Sequence, residues 1–359
     1  MIYGFKTNIT PSIAEVGGKA KALIETTMAG FKVPEGFVLT VGFFASWIEE
    51  IKSTSEWHKF LKEPTKDNCE ELKKLAQDVS FNEKQKKALD NQLITLSEKS
   101  IFAVRSSSPE EDLKDISFAG QYDTFLGIKE NELEEAIIKG FSSMFDTRVV
   151  EYKKLNNIAL DNPRIAIIIQ KQIASDVSGI AFSLNPANNC YDEVMINASF
   201  GLGETIVSGK VTPDTYVIDK VNKKIIEKKI MEKNIGLWLK NHGGTIEVNN
   251  KEPKVRALTD EQILMVSNLA EQCETYYGQP MDIEWSIEKE DLFLLQSRPI
   301  TTYFPLFPEL VSKIGEEKYL YIDVMGLTQG FTDSLSVLGI EIWGEMLEVA
   351  KGGMMPKGI

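Results

Sequence analysis

MDIEWSIEKEDLFLLQSRPIT, residues 281–301, is the stretch on which the reading of this chain turns. Two runs of alternating apolar and polar residues flank a polar turn at Glu288–Asp291, the pattern of a β-hairpin. Side chains alternate faces along a strand. Asp282, Glu284 and Ser286 therefore share one face, and Ile283, Trp285 and Ile287 the other. On the second run Leu292, Leu294, Gln296 and Arg298 share a face. A loop of Lys289–Asp291 pairs residue 288 with 292, which sets Glu284 opposite Gln296 and Asp282 opposite Arg298. A slip of one residue sends the polar sets to opposite faces. In this register two carboxylates, an amide and a guanidinium form one patch. Magnesium takes oxygen ligands and keeps water and substrate phosphates in its shell. One carboxylate and one amide oxygen, with an arginine to neutralise phosphate, suit that demand. An Asp282–Arg298 ion pair on a solvent-facing sheet explains the same pattern, because exposed charges on strands are common and contribute little. Trp285 reads as core.

Upstream of the hairpin, RIAIIIQ (164–170), GIAFSL (179–184), EVMINAS (193–199) and DTYVID (214–219) read as strands separated by glycine- or proline-bearing breaks. TDEQILMVSNLAEQCETYYG reads as a helix. Thr259 and Gln262 have capping-box spacing, Ile263, Val266, Leu269, Ala270 and Cys273 line one face, and Gly278 closes it. Further back, IFAVR (101–105) reads as a buried strand followed by a long polar loop, a length often tied to function. Residues 131–155 read as a helix whose stripe is Leu133, Ile137, Phe141, Met144, Phe145 and Val149. Near the N-terminus Gly17-Gly18-Lys19 leads into a helix, then GFVLT (36–40) reads as a strand. Residues 45–99 read as a charged, surface helical segment. After Thr302, YFPLFPEL breaks regular structure, and a domain boundary is expected near 303–310.

The 359 residues carry 40 Lys and Arg against 53 Asp and Glu, a net charge of −13. Hydrophobic residues at 43% and charged residues at 26% describe an ordinary globular chain and exclude wholesale disorder. At about 150 residues per domain, the length suggests two or three domains. So acidic a chain is poorly suited to general binding of nucleic acid or anionic membrane, and neither partner is expected. A local cluster of cations still suffices to hold a phosphate ligand. Cys69, Cys190 and Cys273 show no metal-type or redox-type spacing. A reducing, cytoplasmic setting is expected, with no secretory leader in MIYGFKTNITPS and no apolar run long enough to span a bilayer.

Five stretches in order, VGGKAKAL (16–23), VPEGFVLT (33–40), FAVRSSSPEEDLKDISFAGQYDTFLGI (102–128), GLGETIVSGKVTPD (201–214) and the hairpin, resemble the ATP-binding part of phosphoenolpyruvate synthase, pyruvate phosphate dikinase and rifampin phosphotransferase. The resemblance covers about residues 10–302. It implies an α+β fold: a two-lobed ATP-grasp-like nucleotide-binding domain, with subdomains 1–170 and 171–302, followed by the start of a further, acceptor-side domain at 303–359. Its motifs imply roles residue by residue. Lys19, Arg105 and Arg298 are expected to bind phosphate and catalyse. Asp282, Glu284 and Gln296 are expected to hold Mg2+, and all six to bind the Mg–ATP substrate. Gly120 and Gln121 would lay backbone N–H groups on phosphate. Gln170 to Ile173 match a hinge that touches adenine through its backbone. Gly201-Leu202-Gly203-Glu204 is either a site-lining turn or a structural one. Arg148 is either a phosphate contact or a helix-surface ion pair.

In that family the pyrophosphoryl or β-phosphoryl group of ATP goes to a histidine on a mobile domain, leaving AMP, and the phosphoryl group then passes to an acceptor. The family's histidine sits in a glycine-threonine-serine-histidine context. His58 in SEWHKFL and His242 in KNHGGT lack it and read as solvated. The expected partners are therefore ATP, a phosphohistidine domain in cis or in trans, and a small-molecule acceptor. The acceptor is pyruvate in a phosphoenolpyruvate synthase-like enzyme, or a drug hydroxyl in a rifampin phosphotransferase-like one. The chain reads as the N-terminal piece of a longer enzyme or as a natural half acting with a second protein. The alternative is a non-enzymatic, nucleotide-responsive module that closes on ATP and signals to a partner.

Overall fold

The computed structural model describes residues 1–96, 100–110, 123–300, 312 and 315–317. Gly120 and Gln121 lie outside the described residues, as does the 303–359 tail apart from residues 312 and 315–317. The chain divides into two units, Met1–Ile314 and Gly315–Ile359, and the first carries everything that follows. It is a mixed helix and sheet structure.

Strands β1 (Ile2–Gly4), β2 (Gly36–Leu39), β3 (Phe102–Ser107), β4 (Thr124–Ile128) and β5 (Ala166–Lys171) form one sheet in the order β1-β2-β5-β3-β4. Every neighbouring pair is antiparallel. The unbroken apolar run of β5 suits a strand buried on both faces. Its alternation divides the core in two. Ile167 and Ile169 pack with Phe102 and Val104 toward a thick helical layer. Ala166 and Ile168 pack against Val16, Ala20, Leu23 and Ile24 of α1 (Ile13–Met28) on the other face. By the same parity Ala103, Arg105 and Ser107 of β3 and Gln170 of β5 lie on the α1 side.

The helical layer comprises α2 (Ala45–Lys52), α3 (Ser55–Lys62), α4 (Lys66–Gln77), α5 (Glu83–Leu93), α6 (Leu133–Ser142) and α7 (Thr147–Leu155). The stretch expected to be a surface segment is thus a structural layer. Trp47, Trp57, Phe60 and Leu72 are buried in it, and its many charges occupy the outer helix faces. The single helix expected over 131–155 is two. Asp146 leaves helical geometry (φ −58°, ψ 137°) after a 3-10 turn at Ser143–Phe145, although the whole predicted stripe is buried.

The second sheet is built from β6 (Val177–Phe182), β7 (Glu193–Phe200), β8 (Asp214–Asp219) and β9 (Lys224–Lys229) together with the hairpin strands. Helix α8 (Glu204–Val207) and a ribbon of β10 (Ile235–Leu239) and β11 (Thr245–Asn249) accompany it. Helix α9 (Asp260–Tyr277) covers one face. Its Thr259–Gln262 capping box forms as the spacing predicts, and Gly278 ends it in the left-handed region (φ 67°). The hairpin strands are β12 (Met281–Glu288) and β13 (Asp291–Pro299), and the order is β13-β12-β6-β7-β8-β9, antiparallel throughout. Met281, Ile283, Trp285 and Ile287 face α9, with Trp285 fully buried. The opposite face of β12 is left to Asp282, Glu284 and Ser286. Among the described residues no helix is long and apolar enough to cross a membrane.

Candidate functional site

The hairpin turn has two residues, not three. Glu288 pairs with Asp291, and Lys289 and Glu290 both take positive φ, 50° and 77°. Two-residue turns of this kind match the strand twist but favour Asn and Gly, and a Lys-Glu pair carries no such signal. Asp176 supplies the support instead. Its backbone N–H donates to the Ile287 carbonyl (2.8 Å), and its carboxylate accepts from the Lys289 N–H (2.8 Å).

A turn one residue shorter sets Glu284 opposite Leu295. A β-bulge between Glu284 and Trp285 absorbs that offset, so Glu284 pairs with Gln296 and Asp282 with Arg298 after all. The expected partners therefore meet by a different path. The expected face of Leu292 and Leu294 is corrected by the same bulge. They pair with Ile287 and Trp285 and join the apolar core beneath α9, while Gln296 and Arg298 stay on the polar face.

The bulge also presents a backbone acceptor. Arg105, arriving from β3 in the other sheet, donates from Nη1 to the Leu295 carbonyl (2.9 Å). Its Nη2 donates to Glu284 Oε2 (3.0 Å) and Gln296 Oε1 (2.6 Å). One pleat further along, Arg298 donates from Nε and Nη2 to Asp282 Oδ2 (2.9 and 2.7 Å). Asp282 is only 7% exposed. Burial pushes its carboxyl above the ordinary value, the Arg298 charge opposes that, and Glu284 adds to it.

Arg105, Glu284, Gln296 and Arg298 border a cleft of about 710 Å³, within the range of small-molecule sites. Lys19, Arg105 and Gln170 line it from α1 and the first sheet, Ile173 from the segment after β5, and Glu284, Gln296 and Arg298 from the hairpin. Asp282 does not line it; it is bound to Arg298, which does. Lys19 is held in place by the break in α1. Gly17 has φ 75°, and a Cβ there would lie 2.4 Å from the carbonyl and hydroxyl oxygens of Ser107. The adjacent Ala20 N–H donates to Ser107 Oγ (3.1 Å). Only glycine allows both the φ and this approach to β3.

Leu202, Gly203 and Glu204 line the cleft as well. Gly201, at φ 76°, lies so close to β10 that a Cβ would sit 2.2 Å from the Leu237 carbonyl oxygen. The Glu204 carboxyl is raised by desolvation and then by the Glu284 charge, while Arg105 and Lys210 lower it. Gln170 spends its side-chain amide on the Pro34 carbonyl (3.3 Å). Arg148 pairs with Asp123, the ion pair among the two alternatives open for it, at the border of the cleft. His58 and His242 are exposed. Sequence reasoning missed Asp176, Asp123 and the Leu295 carbonyl. A backbone acceptor leaves no trace in residue identity, and the two aspartates sit in polar loops where such residues are commonplace.

Among the described residues no three His, Cys, Asp or Glu side chains gather into a metal cluster. The hairpin offers one carboxylate and one amide oxygen that converge on a single nitrogen, Arg105 Nη2. Two hard oxygen donors aimed at one point fit a magnesium ion that takes its other ligands from phosphate and water.

Rifampicin phosphotransferase from Bacillus subtilis is 33% identical over 339 residues, covering 91% of this chain and 38% of that protein. A probable phosphoenolpyruvate synthase from Archaeoglobus fulgidus is 36% identical over 326 residues, covering 87% of this chain and 43% of that one. The chain thus spans about two fifths of the length of these relatives. D-alanine–D-alanine ligase from Helicobacter pylori superposes with a TM-score of 0.27 at 13% identity over 61% of this chain and 47% of its own, too low to carry any argument. Residues 13–309 match the family described as pyruvate phosphate dikinase, AMP/ATP-binding domain, and the chain belongs to that family.

Proposed function

We propose that the cleft binds Mg–ATP and that a phosphoryl group passes from it to a histidine on a separate domain, in cis or in trans. Onward transfer would reach a small-molecule acceptor, pyruvate or a drug hydroxyl. The observation that carries this reading is the guanidinium of Arg105, held at once by the Leu295 carbonyl, Glu284 and Gln296 across a cleft that Lys19 and Arg298 also line. A cationic cluster over a pair of oxygen donors, between two sheets, is what a metal–triphosphate needs. In this reading residues 1–170 and 171–302 are the two lobes of an ATP-grasp-like clamp.

Lys19, Arg105 and Arg298 neutralise the phosphates. Glu284 and Gln296 hold the metal, which when bound draws charge from the phosphate oxygens. Asp282 holds Arg298 through Oδ2 and does not line the cleft, so its first task is to position that arginine, and a further metal ligand its second. Residues 170–173 and 202–204 border the base and sugar. The incoming histidine nitrogen attacks the β-phosphorus, the bond from that phosphorus to the AMP oxygen breaks, and AMP leaves; the pyrophosphoryl group then on histidine gives up its terminal phosphate to water or inorganic phosphate, which leaves the phosphohistidine. Such a reaction asks mainly for positioning and charge stabilisation from the protein, which fits a site made of cations and backbone acceptors. A cytoplasmic setting, where thiols stay reduced, belongs to the same reading. Titration calorimetry is expected to give Mg–ATP binding with a Kd between about 1 μM and 1 mM. AMP is expected to form when a histidine-bearing domain is supplied. A folded protein that takes up no Mg–ATP removes the reading.

A further inference from the structure

Each of the two arginines on the hairpin's polar face is stored on a group expected to hold metal. Arg298 binds Asp282 Oδ2 through two nitrogens. Arg105 binds Glu284 and Gln296 through one nitrogen, so that nitrogen occupies the point on which both donors converge. The Arg105 side chain is 12% exposed, against 33% for Glu284, so the guanidinium sits deeper than the carboxylate that caps it. A cation cannot reach both oxygens while Nη2 is between them.

We propose that Arg105 is an internal counter-ion that occupies the metal-binding oxygens in the nucleotide-free protein and moves to the phosphates when Mg–nucleotide arrives. This rests on the Mg–ATP reading above. The exchange conserves charge: the triphosphate takes the arginine, and the metal takes the carboxylate the arginine leaves. Its consequence is order. A free divalent ion competes with a largely buried, triply hydrogen-bonded guanidinium and binds weakly. Metal carried in on a triphosphate meets no such competition, because the ligand's own phosphates draw the guanidinium away. The Leu295 carbonyl gives the pivot, since the Nη1 contact can persist while Nη2 turns from carboxylate to phosphate.

The test uses Mn2+ as the probe, its free concentration read by electron paramagnetic resonance, with the full chain and no nucleotide. Arg105→Met is expected to bind Mn2+ about tenfold more tightly than the wild type or better, a coupling within the ordinary range between linked sites. Adding Glu284→Gln to that variant is expected to abolish the gain. Arg105→Lys, whose single ammonium cannot bridge both oxygens in the same way, is expected to gain less, and it serves as the variant of record if Arg105→Met does not fold. Unchanged Mn2+ affinity in the folded arginine variants overturns the proposal, and so does a gain that survives Glu284→Gln. Mg–ATP titration of the wild type decides the functional reading separately. Its failure, with the Mn2+ gain intact, leaves a metal site guarded by Arg105 but no nucleotide site.

Discussion

Deleting one residue from a strand ordinarily turns every side chain beyond it to the wrong face. Leu295 is an exception that follows from the bulge. Trp285 pairs with Leu294, and Glu284 with Gln296, so Leu295 has no cross-strand partner. Its removal joins Leu294 directly to Gln296 and leaves a regular ladder with every pair intact. What the deletion removes is the carbonyl that accepts from Arg105 Nη1 at 2.9 Å and a half-buried side chain in the cleft wall. A hydrogen bond to a charged donor contributes about 1.5–3 kcal/mol, and water replaces it poorly at so buried an arginine. Partial loss of a leucine's burial adds about 1 kcal/mol. The total, about 2.5–4 kcal/mol, corresponds to a thermal midpoint lowered by roughly 5–10 °C. Deleting Ser297 instead moves Arg298 to the opposite face and strands the buried Asp282, a cost of about 3–5 kcal/mol before the repacking of charged and apolar faces is counted. Circular dichroism melts of the two deletions decide the matter. ΔLeu295 is expected to fold with native-like secondary structure and ΔSer297 to be far less stable. A ΔLeu295 protein as damaged as ΔSer297, or one as stable as the wild type, refutes the reasoning.

Two further outcomes are expected. Gly17→Ala places a Cβ 2.4 Å from Ser107 at a residue whose φ is 75°, so the variant is expected to lose about 1–3 kcal/mol and to bind Mg–ATP more weakly as Lys19 shifts; an unchanged melting midpoint discards the argument. Asp282 has its carboxyl raised above the ordinary 3.8, chiefly by burial. The folded state therefore binds its proton more tightly than the unfolded chain does, and stability from this group falls as pH rises through the interval just above 3.8. Asp282→Asn removes the titration, so the stability of the wild type relative to the variant is expected to decline across that interval in urea titrations. A relative stability that climbs with pH there means that the Arg298 pair outweighs burial.

Much of the hairpin was legible because one face of it is buried. The requirement that Ile283, Trp285 and Ile287 reach the α9 core forces Asp282 and Glu284 to the other side, and that constraint survives an error in the turn. The turn itself was not legible, because Lys289-Glu290 lacks the glycine or asparagine that normally reports positive φ, and its support comes from Asp176, more than 100 positions away in sequence. The bulge was invisible for a related reason: alternation in LFLLQSRP reads equally well straight through Leu295, and only the fixed faces of Leu294, in the core, and Arg298, on the polar side, show that a residue must be absorbed between them. The same physics explains the helical layer. Local composition of residues 45–99 reports the solvent face, where charges are many, and under-reports the narrow stripe of Trp47, Trp57, Phe60 and Leu72 that holds the layer to the sheet. The site's central contact was out of reach in a different sense. Parity within β3 fixes which face Arg105 takes, and parity within β12 fixes which face Glu284 takes, but neither brings the two sheets together. The meeting depends on α1, whose break at Gly17 lets it lie against Ser107 of β3 while its length packs on β13. The helix that carries Lys19 is therefore also the spacer that sets the distance Arg105 must cross. A substitution on its buried face is then a change in the geometry of the charged cluster as much as in the core.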